Sequence, residues 1–214
     1  PATFNTGTTT VTWTVTDASG NTATATQTVT IIDNTFPTIT APSAVSTTTN
    51  TACTATGVVL GTPVTADNCS VASVTNNAPA TFNLGTTTVT WTVTDASGNA
   101  TNATQLVTVI DNVNPTITAP AAVNVNANNA CSAFGVALGT PVTSDNCSIA
   151  SVTHNAPATF AIGTTTVTWT VTDGSGLTAT ATQTVTVVDA TNPTIVAPAN
   201  ITANASATCS VTGL

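Results

Sequence analysis

A repeat of 78 residues is the sequence feature that most limits how this chain can fold. Tryptophans, prolines and cysteines all keep this spacing, at Trp13, Trp91 and Trp169, at Pro37, Pro115 and Pro193, at Cys53, Cys131 and Cys209, and at Cys69 and Cys147. The segments FNTGTTTVTWTVTDASGN, from Phe4, and FNLGTTTVTWTVTDASGN, from Phe82, differ at one position. A unit of this length is too long for one coil of a solenoid and suits a small independent domain, so the sequence predicts domains in tandem.

Three similar segments, IIDNTFPTI, VIDNVNPTI and VVDATNPTI, indicate the domain boundaries. In each one a predicted strand ends in aspartate and a proline follows four residues later, where proline is expected at a strand start or in a linker. We therefore place boundaries after Asp33, Asp111 and Asp189. Residues 34–111 and 112–189 are then complete domains, between the C-terminal part of one domain at 1–33 and the N-terminal part of another at 190–214. Because the chain starts at Pro1 without an initiator methionine, we expect it to be a segment of a longer protein.

The composition favours β-strands throughout the chain. Threonine supplies 57 of the 214 residues, and hydrophobic residues make up 41%. β-Branched side chains lose little conformational entropy when they are held extended, and they pack well on a pleated sheet. We therefore expect almost no helix.

Alternating side chains predict a hairpin near the end of each repeat. Val89, Trp91 and Val93 share one face of a predicted strand and the threonines between them share the other, so Trp91 is expected in the core. The turn residues ASGN at 96–99 join this strand to a second one at 100–110. Shorter strands are predicted at 38–41, 45–49, 56–60 and 71–76. Six or seven strands in a domain of about 80 residues predict an all-β fold, a two-sheet Ig-like β-sandwich.

The charge and the cysteines limit the partners and the compartment. The chain has eight acidic and no basic side chains, which gives a formal net charge of -8. Such a surface repels nucleic acid and anionic lipid. The sequence has no run of 18 apolar residues, so membrane insertion is not predicted. Five cysteines at regular spacing in small acidic domains indicate an oxidising, extracellular setting at the cell surface.

The chain lacks the side chains from which most catalytic sites are built. It contains no lysine, arginine, glutamate or tyrosine, and its one histidine, His154, corresponds to Asn76 in the preceding repeat. The usual acid–base and nucleophile sets cannot be assembled from what remains. We therefore predict that the protein is not an enzyme. Zinc is not expected either, because the sequence contains no CxxC motif.

Two disulfide patterns fit the cysteine spacing. The pattern we favour pairs cysteines within a repeat, Cys53 with Cys69 and Cys131 with Cys147, which leaves Cys209 without a partner in this segment. The turn residues Gly61-Thr62-Pro63 would then reverse the chain between Cys53 and Cys69. The alternative pattern joins neighbouring domains, for example Cys53 with Cys147.

The motifs of the repeat resemble those of a known family. Asp67-Asn68-Cys69 comes first, followed by FNLGTTTVTWTVTDASGN and then by Val109-Ile110-Asp111 ahead of Pro115. Their order is similar to that of the HYR (hyalin repeat) domain. The likeness is greatest to the bacterial form that occurs in long tandem arrays in giant cell-surface adhesins of Bacteroidota. This resemblance implies an Ig-like β-sandwich, export to the cell surface, and a role in adhesion or as a stalk. The last strand, ATNATQLVTVI, lacks the cysteine of many relatives, so their disulfide pattern does not transfer.

All eight acidic residues fall at three positions of the repeat. One aspartate closes a domain, one lies in the DNC motif and one opens the last hairpin. In a sandwich of alternating strands, the last two positions should lie at the pole that faces the preceding domain. The residues predicted to meet are Asp33, Asp67 and Asp95 at one joint and Asp111, Asp145 and Asp173 at the next, while Asp17 and Asp189 belong to joints that the segment interrupts.

Converging carboxylates without a basic partner predict a bound cation. Three nearby carboxylates repel one another, and a hard dication with oxygen ligands removes that repulsion. Ca2+ suits irregular sets of carboxylate, amide and carbonyl oxygens, and neighbouring candidates are Asn34, Asn68, Asn99, Asn112 and Asn146. The alternative is that aspartate only caps turns, where it is common.

We interpret the chain as a structural and adhesive extracellular array, a stalk or fibre segment stiffened by Ca2+ between neighbouring repeats. One alternative is a subunit that self-associates into extracellular filaments. Another is a glycan- or ice-binding module, suggested by the TxT stretches such as 22–30. Ordinary sheet twist and the scarcity of aromatic residues weigh against this module, and the surface or glycan that the array contacts stays unknown.

Overall fold

All regular structure in the described part of the chain is β-strand. The computed structural model describes residues 3–205 and Ala207, and Cys209 lies outside these residues. The chain begins with an antiparallel hairpin of β1 (Gly7–Thr16) and β2 (Thr22–Ile31). The prediction of an all-β chain with almost no helix is confirmed.

The two complete repeats contain the same eight strands. In the first repeat these are β3 (Thr38–Thr40), β4 (Val45–Thr48), β5 (Thr54–Thr56), β6 (Val64–Ala66), β7 (Val71–Asn76), β8 (Thr81–Asn83), β9 (Gly85–Asp95) and β10 (Ala100–Ile110). In the second they are β11 (Thr116–Thr118), β12 (Val123–Asn126), β13 (Ser132–Phe134), β14 (Val142–Ser144), β15 (Ile149–His154), β16 (Thr159–Ala161), β17 (Gly163–Asp173) and β18 (Thr178–Val188).

The predicted strand at 56–60 is wrong, and two short strands were not predicted. The strand lies at Thr54–Thr56, and the chain leaves it at Gly57, whose φ of 68° is a left-handed conformation that glycine adopts without strain. The strands β6 and β8 have three residues each, which is too short for alternation to be visible in the sequence. The predicted hairpin is confirmed, with a turn after Asp95 and a strand over Ala100–Ile110.

Each complete repeat is a sandwich built on one four-stranded sheet. In the first repeat the strand order is β4-β10-β9-β7, and β4 runs parallel to β10 while the other pairs are antiparallel. The two-stranded sheets β3-β6 and β5-β8 contribute the opposite layer. Ala55 on β5 and Phe82 on β8 pack with Trp91 in one cluster, which holds the layers together. This architecture confirms the predicted Ig-like class.

A tryptophan–glutamine pair anchors each core. The indole N–H of Trp91 donates to Gln105 Oε1 at 3.0 Å, and Gln105 Nε2 donates to the carbonyls of Ser43 and Leu60, both at 2.8 Å. Gln105 is only 2% exposed, so its amide connects the sheet to two loops of the opposite layer inside the core. The buried apolar partners are Ala55, Phe82, Val89, Trp91, Val107 and Val109.

Packing divides the chain into two compact units. The first unit contains Pro1–Thr116, Thr143–Val152 and Val171–Ala179, and the second contains Ile117–Val142, Thr153–Thr170 and Thr180–Leu214. All six aspartates predicted to meet at joints therefore belong to the first unit. The core around Trp169 and its hydrogen bond to Gln183 belong to the second. Within residues 3–205 and Ala207, no helix is long and apolar enough to cross a membrane.

We predict that Gln105→Met destabilises its repeat by about 3 kcal/mol, because a side chain of similar volume leaves the Trp91 N–H and two carbonyls without their buried partner. Denaturant unfolding followed by tryptophan fluorescence measures the loss. Gln27→Met is the matched control, since Gln27 makes the same bond to Trp13 on an exposed hairpin. Equal effects of the two substitutions would contradict a core role for Gln105.

Candidate metal centre

Three carboxylates from distant parts of the sequence meet at one end of the first complete repeat. Asp33 follows β2, Asp67 follows β6 and Asp95 ends β9, and one oxygen from each lies within 4.8 Å of the others. They meet because β6 ends and the β9–β10 hairpin turns at the same pole, beside the point where the chain enters from β2. Asp33 and Asp95 are buried and Asp67 is half-buried. We name Asp33, Asp67 and Asp95 the first acidic cluster.

The same arrangement occurs one repeat later, also inside the first unit. Asp111, Asp145 and Asp173 each offer an oxygen within the same 4.8 Å limit, and Asp111 and Asp173 are 4% and 1% exposed. We name these residues the second acidic cluster. The structure thus brings together both predicted sets of aspartates, while their role as metal ligands stays a prediction.

Hydrogen bonds from turn residues use only one of the two oxygens of most of these carboxylates. Asp33 Oδ1 accepts from the Thr35 N–H at 3.0 Å, and Asp67 Oδ2 accepts from the Cys69 N–H at 2.9 Å. Asp95 Oδ1 accepts from the N–H groups of Ser97 and Asn99, in a turn that Gly98 closes with a φ of 95°. The turn-capping role that we considered as an alternative is therefore present. It uses one oxygen of most aspartates and leaves the other available.

Six buried oxygens at the two clusters have no hydrogen-bond partner among the described residues. They are Asp33 Oδ2, Asp67 Oδ1, Asp111 Oδ2, Asp145 Oδ1, Asn146 Oδ1 and Asp173 Oδ2. A buried acceptor without a partner costs free energy, and an ionised one costs more, so native proteins rarely leave such groups together. Their concentration in two places fits a cation that accepts electron pairs from them.

The protein stabilises the charged forms of Asp33 and Asp95 even without a basic residue. Hydrogen bonds from the Thr35 backbone, the Cys69 thiol and the Asn68 amide lower the pKa of Asp33. Burial raises the pKa of Asp95, but bonds from the side chain and backbone of Asn99 outweigh it and the net pKa is lowered. Negative charge is therefore fixed at a site where the carboxylates repel one another.

The charge also affects the neighbouring thiol. Its hydrogen bond to Asp33, together with partial desolvation and the three nearby carboxylates, raises the pKa of Cys69 and favours the neutral thiol. The three aspartates of the first cluster offer oxygen donors, which suit a hard cation such as Ca2+.

One substitution makes the two clusters different. Asn99 Nδ2 donates to Asp95 Oδ2 at 2.7 Å, and it also reaches the carbonyl oxygens of Asp33 and Thr35. The equivalent residue in the second cluster is Leu177, which bonds the Asp173 carboxylate only through its backbone N–H. Asp173 Oδ2 is therefore free to bind a cation, whereas Asp95 Oδ2 is shared with an amide. Asn34 and Asn112, two of the predicted neighbouring ligands, are exposed.

The structure has the disulfide that we considered as the alternative, so the favoured pairing within a repeat is wrong for Cys53 and Cys147. These two cysteines form a disulfide with Cα atoms 4.5 Å apart. Cys69 and Cys131 are exposed and unbridged within the described residues. The bridge forms because the turn after β4 reaches the DNC motif of the following repeat. Sequence spacing could not show this contact.

Asn146 strengthens the same contact and was not singled out as a link between repeats. Its amide donates to Asp111 Oδ1 at 3.1 Å, and to Thr49 Oγ1 and the Ala52 carbonyl, both at 3.3 Å. Ala52 lies in the left-handed region, with a φ of 48°, which points its carbonyl out of a tight turn. No local sequence signal marks Thr49 and Ala52 as partners of a residue more than 90 positions away.

Comparison with known families identifies the repeat. The model of the HYR domain matches residues 1–31, 32–109 and 110–187. The chain belongs to the HYR domain family. The HYR matches follow one another at the period predicted from the tryptophans, and they start two residues before our boundaries. The boundaries after Asp33, Asp111 and Asp189 therefore stay a prediction.

Solved structures with a remote likeness to this HYR array are cadherins. The protocadherin GammaB4 extracellular domain is 16% identical, with a TM-score of 0.40, and the match covers 84% of this chain and 38% of that one. For Drosophila N-cadherin EC1-4 the identity is 11%, the TM-score 0.39 and the coverage 72% and 50%. Human protocadherin-24 EC1-2 is 14% identical, with a TM-score of 0.38, and the match covers 73% of this chain and 99% of that one. No curated protein sequence matches the chain.

We predict that acid destabilises the metal-free protein mainly below pH 4. The pKa of Asp33 and that of Asp95 lie below their ordinary value of 3.8, so their contribution to stability is complete above it. That contribution is lost as the pH falls through the folded pKa. Thermal unfolding in EDTA between pH 7 and pH 2.5 measures it, and Asp33→Asn should flatten the profile. A melting temperature that rises on acidification would contradict this prediction, because it would show that repulsion between the carboxylates outweighs their hydrogen bonds.

We predict that peptide mapping finds Cys53 linked to Cys147. Cleavage before each aspartate places every cysteine in a separate peptide, at 33–66, 67–94, 111–144, 145–172 and 189–214. Without reductant, mass spectrometry should find 33–66 joined to 145–172, and reductant should separate them. A link between 33–66 and 67–94 would instead support pairing within the repeat.

Proposed function

We propose that this HYR chain is a structural and adhesive extracellular array whose joints bind Ca2+ and are stiffened by it. The observation that supports this most is the set of buried, unpartnered carboxylate oxygens, contributed by consecutive repeats, in a chain without lysine or arginine. A cation at this point connects Asp33, which ends one repeat, to Asp67 and Asp95 of the next. Binding would therefore resist bending between repeats.

The donor set favours Ca2+ over other common cations. At the second cluster Asp111, Asp145 and Asp173 offer free carboxylate oxygens, and Asn146 offers a free amide oxygen. Hard oxygen donors in an irregular arrangement suit Ca2+, whereas Zn2+ prefers nitrogen and sulfur, and Mg2+ demands a regular octahedron. The first cluster offers fewer free oxygens because Asn99 occupies one of them, so we expect it to bind more weakly.

An extracellular and non-enzymatic role agrees with the family and the covalent structure. HYR repeats fit extracellular adhesive arrays, and a disulfide between repeats persists only under oxidising conditions. The bridge and the second acidic cluster lie next to each other in sequence, since Cys147 follows Asp145 by two residues. We propose that they act together to fix one joint. Membership of the giant adhesins of Bacteroidota stays a prediction from the sequence.

Assembly into extracellular filaments stays a prediction from the sequence. The glycan- or ice-binding role stays a prediction without a specific observation in its favour.

We expect calorimetric titration of the oxidised protein with Ca2+ to find about two sites, one for each acidic cluster. Asp67→Asn and Asp145→Asn should each remove one site, because asparagine keeps the turn hydrogen bonds and loses the charge. Asp189→Asn is the matched control, since Asp189 is exposed and caps a turn through Thr191 in the same way. Unchanged stoichiometry in both cluster variants would contradict the proposal.

Stiffening is tested separately from binding. Saturating Ca2+ should raise the melting temperature, and small-angle scattering should show a narrower distribution of distances than in EDTA. The same comparison on Asp67→Asn with Asp145→Asn should show no response to Ca2+. Binding without any change in melting or scattering would keep the metal sites and reject their mechanical role.

A further inference from the structure

The second acidic cluster and the disulfide between the complete repeats share one short segment of chain. Residues 145–147 supply a carboxylate, an amide and a bridged cysteine in succession. Asp145 Oδ1 and Asn146 Oδ1 are buried acceptors without a hydrogen-bond partner among the described residues, and Cys147 bonds Cys53. All these residues belong to the first compact unit. A change in the bridge therefore acts close to two candidate ligands of the cation.

The backbone on either side of Cys147 holds two of the three carboxylates in place. The Cys147 N–H donates to Asp145 Oδ2 at 2.8 Å, which leaves Asp145 Oδ1 free. The next carbonyl, that of Ser148, accepts from the Gly174 N–H at 2.9 Å and so fixes the turn that follows Asp173. A Cβ at Gly174 would lie 2.6 Å from Ser148 Oγ, so the two segments are in close contact.

The turn that carries Cys53 contacts the remaining carboxylate through an amide. Asn146 Nδ2 donates to Thr49 Oγ1 and to the Ala52 carbonyl, both at 3.3 Å, and to Asp111 Oδ1 at 3.1 Å. These three acceptors occupy the amide nitrogen. The amide oxygen is thereby left as a free, buried acceptor beside the carboxylates.

The orientation of this amide decides whether the second cluster gains a ligand or a competitor for the cation. Asn99 shows the competing arrangement, because its Nδ2 donates to Asp95 Oδ2 at 2.7 Å and occupies an oxygen of the first cluster. If the turn at 49–53 moves away, Asn146 Nδ2 loses two of its acceptors. The free oxygens of the neighbouring carboxylates are then its nearest alternatives, and they are the oxygens that a cation needs.

We propose that the Cys53–Cys147 bridge regulates the cation site of the second acidic cluster, and that Asn146 transmits the effect. This inference rests on the proposed Ca2+ site. The bridged joint is the high-affinity form, because the bridge holds the turn against Asn146 and pre-organises the ligands. A dithiol reductant breaks the S–S bond by supplying two electrons and two protons, and is itself oxidised to a disulfide. The two cysteines become thiols, the turn is released, and Ca2+ binds more weakly.

The coupling acts in both directions. If the bridge strengthens Ca2+ binding by a given factor, bound Ca2+ favours the bridge over the two thiols by the same factor. Bound Ca2+ therefore protects the disulfide from reduction, and loss of Ca2+ makes the bridge easier to reduce. The joint reaches its most stable form only where oxidising conditions and Ca2+ occur together.

Variants that isolate each cluster test the regulation. Asp67→Asn leaves the second cluster intact and Asp145→Asn leaves the first intact. Each is titrated with Ca2+ by calorimetry, first oxidised and then after treatment with a dithiol. Reduction should raise the dissociation constant of Asp67→Asn at least about tenfold. That of Asp145→Asn should not change, because Cys69 at the first cluster is unbridged within the described residues.

Cysteine substitutions remove the bridge without a reductant. In the Asp67→Asn background, Cys53→Ser should weaken Ca2+ binding as much as reduction does. Cys131→Ser is the matched control, since Cys131 occupies the same repeat position and is exposed and unbridged in the described part of the chain. Tryptophan fluorescence should stay unchanged in both variants, because the cores around Trp91 and Trp169 do not include these cysteines. That control separates weaker binding from unfolding.

Two further measurements test the direction and the route of the coupling. In a buffer of reduced and oxidised dithiol, Ca2+ should raise the ratio of bridged to reduced protein about tenfold, which lowers the reduction potential by about 30 mV. Peptide mapping of the 33–66 and 145–172 fragments measures this ratio. Asn146→Ala should bind Ca2+ weakly in both redox states, because it lacks the residue that connects the turn to the carboxylates.

Each outcome supports or overturns the proposal. Equal Ca2+ affinity of oxidised and reduced Asp67→Asn would overturn it and leave the Ca2+ proposal intact, since the cation would still bind. Reduction that weakens binding as much in Asn146→Ala as in the chain with Asn146 would overturn it too, because the effect would not pass through this amide. Oxidised protein that binds no Ca2+ at the second cluster would overturn both proposals.

Discussion

The structure depends on a concentration of negative charge that the protein does not neutralise with its own side chains. Six of the eight aspartates lie in two clusters, and no lysine or arginine exists to pair with them. Turn hydrogen bonds hold the carboxylates in place, and among the described residues they leave one oxygen of most of them without a partner. Each cluster brings together the end of one repeat and two loops of the next.

The second acidic cluster lies beside the disulfide that links the two complete repeats. The turn at Thr49–Cys53 of one repeat contacts the DNC motif of the following repeat through Asn146 and through the Cys53–Cys147 bridge. Two different interactions, one electrostatic and one covalent, therefore act on one interface. Each repeat has its own core around a tryptophan and a glutamine, so the domains do not need the joints for their internal packing.

Much of the fold was predictable because the same local sequence pattern occurs in each repeat. The alternation around Trp91 and the turn after Asp95 placed the long hairpin correctly, and the three aspartate positions indicated one pole. The three-residue strands β6 and β8 escaped prediction because they are set by pairing with β3 and β5 rather than by their own sequence. Gln105 was missed for a related reason, since a glutamine in a strand resembles a surface residue until its three hydrogen-bond partners are known.

The sequence by itself determined the all-β class, the tandem period and the restriction of charge to three positions, because each of these is a pattern along the chain. Tertiary structure alone decided which cysteines pair, which oxygens remain free and which asparagine shields its cluster. Asn99 and Leu177 occupy the same repeat position, yet only the folded joint shows that one of them satisfies Asp95 while the other leaves Asp173 open. Contacts between residues some 90 positions apart depend on how consecutive domains meet, and spacing along one repeat carries no information about that meeting.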